Sequence, residues 1–183
     1  MELELGGNMN RIQIYIVLVI VFLLGLLIRY LYERLKLTGR IDSKIRLIFS
    51  IIFSVMMLIW ASWFAMIPLD PWRLELPGII RWLGIAVFIL GLILAFGALF
   101  KLKGLENIEF LATTGIFSRI RHPMYMGFIL WILGWALYHG AIFSLIPGII
   151  GIANILYWRY LEDAEMNARY GETYTTYSNR TWF

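Results

Sequence analysis

The chain has 183 residues, 61% hydrophobic and 15% charged, with a formal net charge of +4 and no cysteine. A soluble domain carries about 25% charged residues, so this is an integral membrane protein whose length suits one compact helical unit. Disulfides and thiolate chemistry are excluded, zinc is not expected from His122 and His139 alone, and basic loops between apolar runs explain the charge without nucleic acid.

Residues Met1 to Asn10 are polar. They carry no basic start and no small-residue cleavage site, so the first apolar run is expected to be retained. That run, Ile12 to Leu31, reaches the roughly 20 residues a bilayer requires. Arg29 sits in its last turn and is expected to snorkel to the interface. Arg34, Lys36, Arg40, Lys44 and Arg46 follow, with Glu33 and Asp42 among them; the Lys and Arg excess places this loop in the cytoplasm. A second span is expected from Ile45 to Ile67, and Pro68, Asp70, Pro71 and Pro77 mark a loop on the far side. Trp60, Trp63, Trp72 and Trp82 are expected to form an aromatic belt there. The third span, Ile79 to Phe100, carries Gly84, Gly91 and Gly97. Small residues let membrane helices approach closely, which puts this helix at the centre of the bundle.

Residues Lys101 to Pro123 are the polar centre of the chain, and Lys101, Lys103, Arg119 and Arg121 again point to the cytoplasmic side. Thr113-Thr114-Gly115 is a turn signal, with Gly115 free to take positive φ. Pro123 suits the first turn of the helix that follows, so Ser118 to Gly127 reads as a helix mouth with unpaired backbone N–H groups. Such a mouth can hold a carboxylate or phosphate; interface anchoring accounts for the two arginines as well. A fourth segment, Met124 to Tyr138, is short for a span. A fifth, Ala141 to about Tyr160, follows after His139-Gly140, and the two are expected to form a tight antiparallel hairpin, with Pro147 kinking the second arm. Alternation of about five spans then puts the N-terminus outside and the helical tail, Leu161 to Phe183, in the cytoplasm. Arg159, Glu162, Asp163 and Met166 share one helical face, which reads either as the cap of a buried pocket or as a solvated helix end with local pairs such as Glu165 with Arg169.

Two polar segments resemble a known family. Thr113-Thr114-Gly115-Ile116-Phe117, then Arg121-His122-Pro123-Met124-Tyr125-Met126-Gly127, is similar to the Gly-Pro-Tyr…Arg-His-Pro-x-Tyr-x-Gly signature of the isoprenylcysteine carboxyl methyltransferases and their relatives, the membrane phospholipid methyltransferases. Glu162-Asp163-Ala164-Glu165-Met166, with Tyr170-Gly171, Tyr174 and Tyr177, is similar to their Glu-Glu-x-x-Leu-x-x-x-Phe-Gly-x-x-Tyr-x-x-Tyr tail. The match covers roughly the last 80 residues. It implies a single all-α membrane domain over 1–183, with three N-terminal spans in 1–100 and a cofactor-binding catalytic part in 101–183. It implies S-adenosylmethionine as cofactor, a lipophilic acceptor of the isoprenylcysteine carboxylate type or a related lipid, and a pocket closed by the tail. Cofactor contacts are expected from Glu109, Phe110, Leu111, Ala112, Phe117, His122, Pro123, Met124, Tyr125 and Glu162, and acceptor or carboxylate contacts from Arg121 and Arg159. Phe117 stands where the family carries tyrosine, Ile116 where it has proline, and Asp163 where it has a second glutamate. Arg159 lies one position off the usual spacing.

A methyl group on a sulfonium is already activated, so this chemistry calls for no metal and no covalent nucleophile; the protein supplies alignment and excludes water. Two other readings remain at the level of sequence. Membrane sterol-type reductases using NADPH share an Arg-His-Pro-x-Tyr element but differ at Met124 and at Met126-Gly127-Phe128. A non-catalytic lipid-binding protein keeps the fold without the reaction.

Overall fold

The computed structural model describes residues 2–41, 45–102 and 111–183. Among the described residues there are six α-helices: α1 (Glu2–Leu37), α2 (Arg46–Met66), α3 (Gly78–Leu102), α4 (Pro123–His139), α5 (Leu145–Tyr170) and α6 (Glu172–Ser178). Short 3-10 turns at Ile67–Leu69 and Gly115–Ser118 complete the regular structure, with two isolated bridges and no strand among those residues. The protein is an all-α membrane protein. Asn10–Leu37, Arg46–Leu69 and Gly78–Leu102 are long and apolar enough to cross a bilayer. Their outward faces carry exposed apolar side chains, such as Val17, Ile20, Leu47, Ile79 and Phe100, which lipid covers without the cost that water would impose.

Helix α4 has 17 residues, about 25 Å at 1.5 Å per residue, just short of the hydrocarbon core. Helix α5 has 26 residues but turns polar from Arg159 onward. Pro147 lies in the first turn of α5, where its missing N–H breaks no helical hydrogen bond, so the expected kink is absent and the helix is continuous.

Glycines set the closest packing. Helices α3 and α4 run antiparallel, with Gly84 against Gly134 and Tyr138, and Gly91 against Gly127 and Trp131. A Cβ on Gly134 would lie 2.5 Å from the Phe88 nitrogen, and one on Gly91 would lie 2.7 Å from the Gly127 carbonyl oxygen. The glycine face of the third span is therefore the α4 contact, as small-residue packing in membranes predicts, but α3 packs almost wholly on α4 and does not stand at the centre of the bundle as expected. Gly97 meets only the tip of Ile116 at 4.0 Å. Helices α1 and α2 form a second antiparallel pair. A Cβ on Gly25 would lie 2.5 Å from Ile59 Cγ1, and the Phe22 and Trp63 rings are 5.2 Å apart.

Trp60 and Trp63 do not join the expected aromatic belt. They point inward, at 8% and 0% exposure, and Trp60 meets Phe128 and Trp131 of α4 at 4.8 and 5.2 Å. Large rings fill the space between the two helix pairs. Trp72 and Trp82 are exposed and remain suited to an interface.

Helix α5 lies parallel to α1. Their contacts advance together along both helices: Tyr15 with Ser144, Tyr30 with Tyr157 and Lys36 with Glu165. At the start of this seam Asp70, only 4% exposed, accepts hydrogen bonds from the Ser144 N–H at 2.7 Å and the Ser144 hydroxyl at 2.6 Å. A buried carboxylate needs such donors, and the N-terminal end of α5 supplies them. This tie fixes where α5 starts, and hence where its polar end meets α1 and α4.

Candidate active site at the junction of α4, α5 and the tail

The polar motifs converge at the opposite end of the bundle from Asp70. Gly115 takes a φ of +67° and opens the 3-10 turn, which buries Phe117 at 7% exposure. His122 has an extended φ of −120°, as a residue before proline prefers, and its carbonyl accepts the Met126 N–H. Pro123 then begins α4.

The tail is strapped onto this motif. The Tyr177 hydroxyl donates to the Phe117 carbonyl at 2.7 Å. Arg121 donates through Nη1 to the Ser178 carbonyl at 3.3 Å. Ile120 and Trp182 form a parallel bridge, in which the Trp182 N–H donates to the Arg119 carbonyl and the Arg121 N–H to the Trp182 carbonyl. The His122 N–H donates to the Phe183 carbonyl at 3.1 Å, and the Phe183 ring lies 4.8 Å from the Arg159 guanidinium.

Asp163 is the hub. The Nε2 of His122, which is 6% exposed, lies 2.7 Å from Asp163 Oδ1. The hydroxyl of buried Tyr174 donates to the same oxygen. Arg121 Nε lies 3.9 Å from Oδ1, and Arg159 Nε lies 3.6 Å from Oδ2. Burial raises the carboxyl pKa, but the hydrogen bonds from His122 and Tyr174 and the attraction of His122 and Arg121 outweigh it and bring it down to about 2. Burial and the adjacent Asp163 carboxylate push Tyr174 well above the ordinary tyrosine value. Through Asp163 this acidic face of α5 packs against the motif before α4 and the tail.

Of the residues singled out from the sequence, Arg121, His122, Arg159 and Glu162 surround this hub. Glu162 Oε2 lies 3.8 Å from His122 Nδ1. Tyr125 stacks on His122 at 5.6 Å between ring centroids, and its hydroxyl faces Glu162. Pro123 is buried, Met124 is half-buried beside it, and half-buried Leu111 and Ala112 lead into the turn. Glu109 and Phe110 lie outside the described residues. Asp163, on the helical face it shares with Arg159 and Glu162, is not among the site residues expected from the sequence, nor are Trp182 and Phe183; that shared face is the signal for Asp163. Glu165 reaches across to Lys36 of α1 at 3.7 Å.

Residues 79–173 match the phospholipid methyltransferase family, a stretch that takes in α3, α4, α5 and the motif before α4. No curated protein and no solved structure matches the chain. With just over half its length inside the family pattern, and with the two polar motifs joined at one site, the chain belongs to the phospholipid methyltransferase family and is a membrane methyltransferase.

Proposed function

We propose that the protein transfers a methyl group from S-adenosylmethionine to a lipid-borne acceptor, an isoprenylcysteine-type carboxylate or a phospholipid headgroup, on the cytoplasmic side of a bundle of five membrane segments. The last two segments, α4 and α5, would form the hairpin, with the N-terminus outside. The observation that carries this reading is the gathering of the motif before α4, the acidic face of α5 and the tyrosine tail around Asp163. Family membership favours methyl transfer over an NADPH-dependent reduction and over lipid binding alone.

The donor set suits the cofactor's charges. Among the described residues, the Nε atoms of Arg121 and Arg159 are buried without a hydrogen-bond acceptor, although each lies near Asp163. They can take a carboxylate, while Glu162 can take an ammonium or ribose hydroxyls by charge-assisted hydrogen bonds. His122 and Tyr125 present ring faces beside Glu162 for apolar contact. Held there, the cofactor would supply an activated methyl, the acceptor's lone pair forming the new bond to carbon while the electron pair of the S–CH3 bond would stay on sulfur. A carboxylate acceptor needs no base; an ammonium acceptor must first lose a proton to water. The tail from Tyr174 to Phe183 covers the motif and excludes water from the reacting atoms. Calorimetric titration of the purified protein tests the assignment. Binding of S-adenosylmethionine and not NADPH supports it; binding of NADPH alone, or of neither, contradicts it.

A further inference from the structure

Two Trp–Arg neighbours, Trp72-Arg73 and Arg81-Trp82, flank the entry to α3. They lie at the Asp70 end of the bundle, away from the Asp163 hub. The stretch from Trp72 to Leu74 runs against the α4–α5 turn. Arg73 and Ala141 form an antiparallel bridge, the Leu74 N–H donates to the Gly140 carbonyl at 2.8 Å, and the Ile142 N–H donates to the Trp72 carbonyl at 3.2 Å. Gly140 takes a φ of +64°, and a Cβ there would collide with the Leu74 carbonyl. This pairing fixes Arg73 beside Ala141, two residues after His139. Arg81 reaches the same place from α3. Its Nε donates to the Tyr138 carbonyl at 3.2 Å, and its guanidinium lies 5.2 Å from the Tyr138 ring, which meets the His139 ring at 4.9 Å. Both guanidinium groups lie within electrostatic reach of that imidazole.

No anion balances this cluster. Among the described residues neither guanidinium pairs with a carboxylate. The Asp70 oxygens are taken by the Trp72 N–H and by Ser144, and Glu75 is exposed. The Tyr138 carbonyl uses one of the five N–H donors of Arg81. The His139 Nε2 is buried with no hydrogen-bond partner among the described residues, a state that costs stability unless an oxygen reaches it. Topology does not account for the cations either. Arg34, Lys36 and Arg40 crowd the other end, where Lys36 meets Glu165, and the positive-inside rule asks for a basic excess at one end only. A cation near a helix C-terminus answers the helix dipole, which explains Arg81 but not Arg73 or the unpaired His139. Trp72 and Trp82 are 56% and 71% exposed, as tryptophans at headgroup depth are. They set the arginines next to them at the level of lipid phosphates, whose oxygens match the planar guanidinium fork.

We propose that Arg73, Arg81 and His139 form a binding site for the phosphate of an anionic membrane lipid, in the leaflet opposite the methyl-transfer site. Arg73 and the remaining donors of Arg81 meet the charge, and His139 adds a hydrogen bond. One phosphate held by all three ties the loop before α3, the first turns of α3 and the end of α4 together. A headgroup with a single phosphodiester and no cation fits this cluster; a zwitterionic headgroup brings a cation that the cluster repels.

The test uses the full chain in non-ionic detergent micelles supplied with dioleoyl phosphatidylglycerol or dioleoyl phosphatidylcholine. A ligand that binds only the folded state raises its melting temperature, and native mass spectrometry counts the lipid retained. Phosphatidylglycerol should raise the melting temperature of the wild type by about 5 °C more than phosphatidylcholine, with one molecule retained per chain. Arg73→Gln should melt like the wild type in phosphatidylcholine, since its side chain has no partner to lose, yet forfeit most of the phosphatidylglycerol increment. His139→Gln should forfeit less, and Arg73→Lys should keep part of it. Arg11, one turn before Tyr15 on α1, is also exposed at this end, and Arg11→Gln should keep the whole increment. An undiminished increment in Arg73→Gln and His139→Gln alike overturns the site. So does an equal loss in Arg11→Gln, which would report surface charge in general. Inorganic phosphate and glycerol 3-phosphate at the same concentration should not reproduce the increment. If either does in full, the ligand is a soluble phosphate and the lipid assignment falls.

Discussion

The Nε2 of His122, just before α4, lies 2.7 Å from the Oδ1 of Asp163, four residues after Arg159 on α5. This bond joins two motifs that are 41 residues apart in the chain. The tail joins through the same oxygen by way of Tyr174. Asp163→Asn should therefore do more than remove one contact. It removes the charge that faces Arg121 and Arg159 and turns one acceptor oxygen into a donor. A loss of about 1–3 kcal/mol is expected, read as a lower melting temperature in micelles together with weaker cofactor binding. Tyr174→Phe removes one hydrogen bond, and about 0.5–1.5 kcal/mol is expected. If limited proteolysis of the tail is as slow in both variants as in the wild type, Asp163 is not the hub.

The same carboxylate sets a pH window. Its ordinary value is 3.8 and its folded value is about 2. A depressed carboxylate contributes stability that is fully present above its unfolded value and is lost as pH falls through the folded value. Tail docking should thus persist unchanged from neutral pH down to about pH 4 and fail between there and about pH 2. Amide exchange of Tyr174 to Phe183 across a pH series, corrected for intrinsic rates, reads this directly. Loosening confined to the range above pH 5 would assign the docking to a different group.

Glu162→Gln should weaken S-adenosylmethionine binding while the fold stays intact. A charge-assisted hydrogen bond is worth about 1.5–3 kcal/mol, or roughly 10- to 150-fold in affinity. Calorimetry on the wild type and the variant decides it, and equal affinities remove Glu162 from the cofactor site.

Helix packing gives a prediction independent of function. Gly134→Leu and Gly91→Leu place side chains where backbone atoms already stand 2.5 and 2.7 Å from the first added carbon. Each should cost at least about 1–3 kcal/mol through overpacking and lower the melting temperature. Gly97→Ala, with only Ile116 at 4.0 Å, should be neutral or slightly stabilising because alanine favours the helix. Equal melting temperatures for Gly134→Leu and Gly97→Ala would contradict the close α3–α4 contact.

Much of this arrangement was legible because it follows local rules. The apolar runs gave α2 and α3 within two residues and the middle of α1, which extends ten residues before and six beyond its apolar run; Gly84 and Gly91 share the face that meets α4, and Gly115 takes the positive φ its turn demanded. What failed depended on which way a helix faces. Trp60 and Trp63 lie on an apolar helix with no polar face to fix its rotation, so composition could not distinguish a belt from a core. Arg29 has the same cause: a charge near a helix end snorkels or pairs inward according to its neighbours, here Glu33 and Trp158. Pro147 was read as a kink because the start of α5 is set by Asp70, which lies far away in sequence. The hub role of Asp163 was hidden for a similar reason, since its partners His122 and Tyr174 come from separate elements.

We propose that a lipid-borne acceptor enters sideways from the bilayer. Moving an apolar chain from lipid to water costs about 0.8 kcal/mol per CH2, a cost that sideways entry from the bilayer would avoid. Shortening the acceptor's hydrocarbon chain stepwise should lower transfer efficiency at each step with the headgroup unchanged. A chain-free headgroup analogue that reacts as well as the full lipid would contradict sideways access.

The most direct measurement is transfer of a tritiated methyl group from S-adenosylmethionine by the purified protein in bilayers, against a panel of phospholipids and prenylated cysteines, with products identified by mass spectrometry. The account predicts label in a lipid product, abolished or strongly reduced by Asp163→Asn and by Glu162→Gln. Label in no lipid, or equal labelling by the wild type and both variants, would contradict it.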